Sequence, residues 1–503
     1  MKILRPLDDL ERIYLKYQSL NICKSNVYFT VRYYWDELVN LQNPFLEINI
    51  SQILFPALER VISKTPHLCI SIKDAKTSNP QFVILPEIDF SSVVKFVSIS
   101  SNEELVNIME KEFYTEFDLD DETKPYWRII VGTNNKILHG DSEKQSDFNL
   151  CIMFTCHHVI GDGISSMAFQ ATLMEEMDEV FSQRKTHSFK LKVTIDQSMV
   201  IANPVRYFRK MFQSEDNSLK KNSPFTTPTL TSWFSKIRQY DVPNSINKIR
   251  YFSLSEKEFT PILSLAKTYG TCILSVLNML TFFSIRETII HTLDTQILNV
   301  IVPCSLRERV PPQVSWREFG NFSGGLSYEF NMDKISSIGL SDNNFKEQFW
   351  SLCHNYTLII HSDLSTLTDK NNVEENNAKT NNVLKIVEDI IDKNAKDTNN
   401  EKNNVENQDK TQRSILLEMS NLGKFPKNSS NRKRLNLKVV DLNNSGEVNK
   451  FTTMRVNSIS YDNILHMCIL HHDGSISINS EQMDRFISKF LEISKIIVKD
   501  NLI

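Results

Sequence analysis

No long apolar run, no excess of one charge and no paired-cysteine spacing occurs in this 503-residue chain. The longest apolar stretch, from Cys272 to Ile285, is broken by Ser275, Asn278, Thr281 and Ser284. It falls short of the ~20 residues a membrane-spanning helix needs, so it reads as a buried helix. The net charge of -4 does not suggest a nucleic-acid partner, which favours a clearly basic domain. Arg432-Lys433-Arg434 is a short basic patch that reads as a solvated loop. Eight cysteines are scattered, with no C-x-x-C pair. Several sit in apolar runs, where a free thiol behaves as a small hydrophobe, and a reduced, cytosolic setting is expected. The N-terminal residues Met1 to Pro6 contain no apolar stretch of the kind that marks a signal peptide. What remains is ordinary globular composition, 41% hydrophobic and 23% charged. At about 150 residues per domain it predicts two or three domains.

The first half alternates helices and strands. Leu54, Leu58, Val61 and Ile62 form a helical stripe that stops before Pro66, and Leu68, Ile70 and Ile72 alternate as a strand. Leu150 to His158 is apolar on both faces, the pattern of a central strand covered on both sides. A helix is predicted from about Ser165 to Phe181, burying Met167, Leu173, Met174, Met177 and Val180. The second half repeats this style. A strand is read over Ile249–Leu254, then a helix capped by Ser255 and stopped by Gly270. Thr271 is read as the cap of the next helix, and a further strand ends at Pro303. The expected division is an N-terminal domain over 1–200, a crossover over 201–245 and a C-terminal domain over 246–503. Within the last lies an Asn-rich insertion, 369–412, predicted to be largely disordered around one helix built on Val383, Leu384, Val387, Ile390 and Ile391.

The run His157-His158-Val159-Ile160-Gly161-Asp162-Gly163 is the strongest chemical signal. A histidine at a strand end can project into a cleft from a fixed backbone. Its ordinary pKa, near ~6.5, lets it accept a proton at neutral pH. Asp162 can hold the turn through hydrogen bonds and an arginine partner, and Gly161 and Gly163 are expected to permit a sharp backbone. Taken alone, the pattern fits a buried histidine pair beside a helix-capping aspartate better than a catalytic site, since five-residue patterns arise by chance. A second pair, His471-His472-Asp473-Gly474, reads as a hairpin turn, and it offers no third metal ligand at recognisable spacing.

The residues Cys156 to Ser166 resemble the active-site motif of the superfamily containing chloramphenicol acetyltransferase, plant BAHD acyltransferases and peptide-synthetase condensation domains. Within it, the chain is most similar to the fungal alcohol O-acetyltransferases. Pro125-Tyr126-Trp127-Arg128, Val302 to Arg307, Phe319 to Gly325 and Ser420-Asn421-Leu422-Gly423 carry the same likeness. The Asp-Phe-Gly-Trp-Gly motif of the plant enzymes is absent.

The resemblance implies an α/β fold of two similar chloramphenicol acetyltransferase-like domains, each a mixed sheet with helices, with an active-site tunnel between them. It implies His158 as general base, His157 as structural, and Asp162 paired with an arginine, for which Arg307 is the candidate. Ser420 and Asn421 are candidate donors to a thioester oxygen, or caps of a strand end. The implied reaction moves an acetyl group from acetyl-CoA, a co-substrate, to an alcohol. No metal and no permanently bound cofactor is implied. A long-chain amine acceptor, peptide-bond condensation (for which no carrier domain is visible in the sequence) and a non-catalytic binding protein on the same fold are the rival readings. A monomer is expected, cytoplasmic or peripheral at the endoplasmic reticulum or lipid droplets. The C-terminal helix, with Phe486, Ile487, Phe490, Leu491, Ile493, Ile497 and Val498 beside Lys489, Lys495 and Lys499, is read mainly as a core helix and secondarily as a membrane-surface one.

Overall fold

The computed structural model describes residues 1–21, 23–36, 46–134, 148–183, 190–201, 224–226, 246–290, 296–308, 313–366, 415–427, 435–448, 452–473 and 478–499. The helix read over 383–392 and the insertion around it lie outside these residues. The chain divides into two compact units. Unit 1 comprises Met1–Val205, Pro312–Phe322 and Leu422–Glu447; unit 2 comprises Arg206–Pro311, Ser323–Asn421 and Val448–Ile503. The sequence alone predicts an unbroken C-terminal domain from 246. The two late segments of unit 1 depart from that expectation, because their partners lie within the first half of the chain.

Unit 1 contains helix α1 (Asp9–Ser19), strand β1 (Asn26–Trp35), helix α2 (Leu46–Lys64) and strands β2 (Val94–Ser98), β3 (Trp127–Thr133) and β4 (Leu150–His157). Helix α3 (Gly163–Ser182) follows β4 directly. The sheet runs in the order Leu437–Gly446, β1, β4, β3, β2. All its pairings are antiparallel except β2 with β3. β4 is the middle strand and every one of its residues is buried, as its unbroken apolar run predicts. α3 buries Met167, Leu173, Met174, Met177 and Val180, the expected stripe, and packs beside α2. The strand after Pro66 starts only at Ile70, because Pro66–Cys69 forms a 3-10 turn.

Unit 2 contains β5 (Ile246–Leu254), α4 (Glu256–Thr268), α5 (Ile273–Thr288), β6 (Ile297–Ser305), β7 (Ser323–Asn331), α6 (Phe345–Thr366), residues 415–421 of β8 (Ile415–Lys424), β9 (Met454–Tyr461), β10 (Ile464–Asp473) and α7 (Ser480–Ile496). Its mixed sheet runs Phe225–Thr226, β7, β6, β8, β9, β10, β5, with β6 and β8 parallel. Ser255 is the N-cap of α4, its amide and hydroxyl donating to the Glu258 carboxylate at 2.9 and 2.7 Å, and Gly270 follows at φ +59°, the left-handed stop expected of it. Thr271 is not the cap of α5. That position falls to Cys272, and the Thr271 hydroxyl lies 2.8 Å from that of Thr357.

β6 does not end at Pro303 but continues to Ser305. Its parallel partner β8 is paired only as far as Ile301, so the missing N–H of Pro303 falls where one side of the strand is an edge. α5 is buried from Ser275 to Ile285, in keeping with the buried-helix reading. No single described helix is long and apolar enough to cross a membrane. α7 buries Met483, Phe486, Phe490 and Ile493 and packs on α5, so its apolar face belongs to the core of unit 2.

Candidate active site

The two histidines at the end of β4 have opposite environments. The His157 amide donates to the Tyr126 carbonyl at 2.9 Å, and the His158 amide donates to the Ser25 carbonyl at 2.8 Å. Successive N–H groups thus go to opposite neighbours, and the side chains alternate as strand pleating requires. The His157 ring is fully buried, edge-on to Phe117 and Tyr126. Its Nδ1 accepts a bond from the Val159 amide at 3.1 Å. Burial first, then the neighbouring His158 and Arg128, lower its pKa to about 3, so the ring is neutral at neutral pH. The Cys156 thiol beside it is pushed up to about 12 by burial, which removes it as a nucleophile at neutral pH.

His158 is half-buried. Its ring lies flat on Tyr14 of α1, with centroids 4.1 Å apart and planes 8° from parallel. Asn321 reaches it from the Pro312–Phe322 segment of unit 1. The Asn321 amide nitrogen lies 2.9 Å from the His158 carbonyl oxygen and 3.2 Å from its Nδ1.

Asp162 is buried and caps α3. Its Oδ1 accepts from the Ser165 amide at 2.8 Å and lies 3.0 Å from the Ser165 hydroxyl. Its Oδ2 accepts from the Phe322 amide at 2.9 Å. The Ser165 hydroxyl also accepts from the Gly320 amide at 3.0 Å and lies 2.7 Å from the Gly320 carbonyl. The capping role that the bare motif allows is therefore real. It coexists with a second role, since the same carboxylate fastens residues 320–322 to the histidine turn.

The glycines act differently from expectation. Neither Gly161 nor Gly163 has positive φ. A Cβ on Gly161 would sit 2.7 Å from the Phe319 ring, and one on Gly163 would sit 3.0 Å from Leu422. Close approach by these side chains, rather than a left-handed backbone, excludes a larger residue at 161.

Arg307 is buried rather than solvated, two residues past the end of β6. Ser420 and Asn421 lie within β8, not at its end, and both are half-buried. The Ser420 carbonyl accepts from the Ser458 hydroxyl at 3.3 Å. Sequence reasoning assigns no site role to Tyr14 or Asn321. Tyr14 gives no signal beyond lying on an amphipathic helix, whereas Asn321 lies in the Gly-Asn segment already singled out by resemblance. Among the described residues no group of three or more His, Cys, Asp or Glu is placed to hold a metal.

A sequence model of the alcohol acetyltransferase family matches residues 46–460, most of the chain. The chain belongs to the alcohol acetyltransferase family. Among curated proteins it is similar to a probable alcohol acetyltransferase of Aspergillus fumigatus, 24% identical over 50% of this chain and 52% of that one. A probable alcohol acetyltransferase of Fusarium pseudograminearum is 23% identical over 53% and 54%. The chain thus spans about half the length of the curated relatives it matches. Among solved structures, the trichothecene 15-O-acetyltransferase of Fusarium sporotrichioides aligns over 98% of this chain and 94% of its own. The TM-score is 0.63 at 12% identity. The first condensation domain of the calcium-dependent antibiotic synthetase aligns over 98% and 97%, with TM-score 0.55 at 11% identity. These structural likenesses establish the shared α/β acyltransferase fold that the sequence motifs lead one to expect.

Proposed function

We propose that this alcohol acetyltransferase family member transfers an acetyl group from acetyl-CoA to an alcohol, with His158 as general base. The observation that carries the reading is the contrast at the end of β4: one histidine is sealed and neutral, and the next is half-exposed and held in a fixed plane. His158 takes the hydroxyl proton as the alcohol oxygen attacks the thioester carbonyl. The tetrahedral adduct then collapses, the carbon–sulfur bond breaks, and His158 returns the proton to the departing CoA thiolate. Ser420 and Asn421 are proposed as donors to the oxyanion, since both offer half-buried polar side chains.

Asp162 acts through structure, holding the turn and residues 320–322. The pairing of Asp162 with Arg307 belongs to this proposal; a double-mutant cycle with Asp162→Asn and Arg307→Gln tests it, because a paired carboxylate and guanidinium give non-additive losses. Peripheral association with the endoplasmic reticulum or lipid droplets is proposed on acceptor chemistry alone, since apolar alcohols partition into membranes.

The direct test is release of CoA thiol from acetyl-CoA by purified protein, against a panel of primary alcohols and long-chain amines, with ester or amide identified by mass. Ester formed only when an alcohol is present supports the proposal. Amide formation alone would move the assignment to an N-acetyltransferase. No acceptor-dependent release, with binding retained, would leave a non-catalytic binding protein.

A further inference from the structure

Five described residues other than glycine hold a positive φ: Asn21, Ser25, Asp74, Asp462 and Asn463. Four of them are Asn or Asp, whose short polar side chains tolerate the left-handed conformation. Ser25, at φ +54°, is the exception. Glycine or asparagine meets such a φ at less cost, so the strain points to a function for the serine itself.

Ser25 stands where three parts of the candidate site meet. Asn26 pairs with His157 at the end of β4, and the same antiparallel register sets Ser25 opposite His158. The Ser25 carbonyl accepts from the His158 amide at 2.8 Å, which carries the ladder one residue past the strand. The Ser25 hydroxyl donates to the Tyr14 carbonyl of α1 at 3.1 Å. The Tyr14 ring in turn lies on the His158 imidazole, with centroids 4.1 Å apart and planes 8° from parallel. These contacts close a circuit that runs from the His158 backbone through Ser25 to the Tyr14 backbone, and from the Tyr14 ring back to the His158 ring. Ser25 has little room to shift within it. It is 6% exposed, and the Asn26 amide next to it donates to the carbonyls of Glu112 and Thr115 at 3.1 and 2.9 Å.

We infer that Ser25 is a positioning residue: it ties the His158 backbone to that of Tyr14 and so sets the face-to-face spacing of the two rings. The inference rests on the base role proposed for His158. Stacking by itself does not fix that spacing, because a tyrosine carried on a helix follows any shift of the helix. The hydroxyl bond holds α1 in register with the end of β4. Without it α1 can slide and the imidazole can follow, and misplacing a reacting group by about 1 Å can cost roughly 10²-fold in rate.

Ser25→Ala and Ser25→Gly separate strain from positioning. Both lack the hydroxyl, but only alanine keeps a Cβ in the left-handed turn. Ser25→Gly should therefore unfold at a higher temperature than Ser25→Ala. Turnover should not follow that order. With acetyl-CoA and the fastest alcohol of the panel, both should lose about 10-fold or more in kcat per folded molecule, with KM for acetyl-CoA changed less than about threefold. Ser25→Gly, with the freer backbone, should lose at least as much as Ser25→Ala. Should Ser25→Ala fail to fold, Ser25→Gly carries the comparison with the parent.

The direct readout is the ring C–H signals of His158 in the full chain with 13C-labelled histidine, identified by their loss in His158→Ala. The stacked tyrosine should shift them upfield, Tyr14→Leu should abolish that shift, and both Ser25 variants should reduce it. His158 signals at the parent's positions in both Ser25 variants would overturn the inference, whatever the kinetics. So would turnover that simply tracks unfolding temperature, since that is the behaviour of a residue serving stability alone. If His158→Ala kept full turnover while the Ser25 variants still moved the His158 signals, the base reading would fail and the tie between the two rings would stand.

Discussion

The chain carries two adjacent-histidine pairs, one in each unit, and they are used differently. His471 and His472 lie inside β10, paired by register with Lys248 and Asn247 of β5, and His471 also with Met454 of β9. Both are buried. The sequence pattern predicts a hairpin turn for this pair; the strand instead runs on through Asp473, and the expected turn residue Gly474 lies outside the described residues. His157 closes β4, and His158 is the first residue beyond it. A capped helix follows within a few residues, and a distant segment of the chain is bonded to the turn. The same dipeptide is sheet interior in one unit and a candidate site in the other. The difference lies in the strand end and in the carboxylate that fastens the turn.

If fastening makes the difference, removing it should cost most. Asp162→Ala deletes a helix cap, worth about 1 kcal/mol, and strands the buried Phe322 amide, worth about 1–3 kcal/mol more. A loss of about 2–4 kcal/mol in denaturant unfolding is expected, with little loss of sheet signal. Next comes Gly161→Ala, whose new methyl would meet the Phe319 ring. About 1–3 kcal/mol of overpacking should appear, and an additional Phe319→Leu change should relieve part of it.

The sealed histidine gives a smaller effect, read through pH. The His157 pKa is lowered from 6.5 to about 3 in the folded protein, chiefly by burial. Its contribution to stability is therefore complete above the unfolded value and is lost as pH falls through that window. The slope is at most about 1.4 kcal/mol per pH unit. Unfolding measured between about pH 6.5 and 5 should show this slope in the parent and a flatter one in His157→Gln. Smallest of all should be the catalytic effect of His472→Gln in β10. Turnover per folded molecule should stay within about twofold, since no site role attaches to that pair; a loss comparable to that of a general base would break the contrast between the units.

Much of the frame is legible because it is local. The Ser255 cap, the Gly270 stop and the both-sided apolar run of β4 each declare themselves within a few residues. Helix α3 follows from spacing alone. The errors arise where a distant partner decides. Thr271 fails as a cap because Thr357 is beside it, and Pro303 is tolerated because β8 ends its pairing early. The site divides in the same way. His158 and Asp162 stand in one short motif, whereas Asn321 meets His158 across 163 positions of chain. Only the resemblance points to its segment, and no spacing rule announces such a contact. Tyr14 has no signal beyond its place on a helix. The role of Gly161 escapes the sequence because a glycine needed for close approach and one needed for positive φ look alike there.

The central claim, that the half-buried histidine beyond the strand end works while its sealed neighbour supports, is tested most directly by comparing His158→Ala and His157→Gln for acetyl transfer to the fastest alcohol, with each variant's folded fraction measured. His158→Ala should lose roughly 10²–10⁴-fold in kcat. His157→Gln should lose far less per folded molecule. A larger loss in His157→Gln, or near-normal turnover in His158→Ala, would contradict the account.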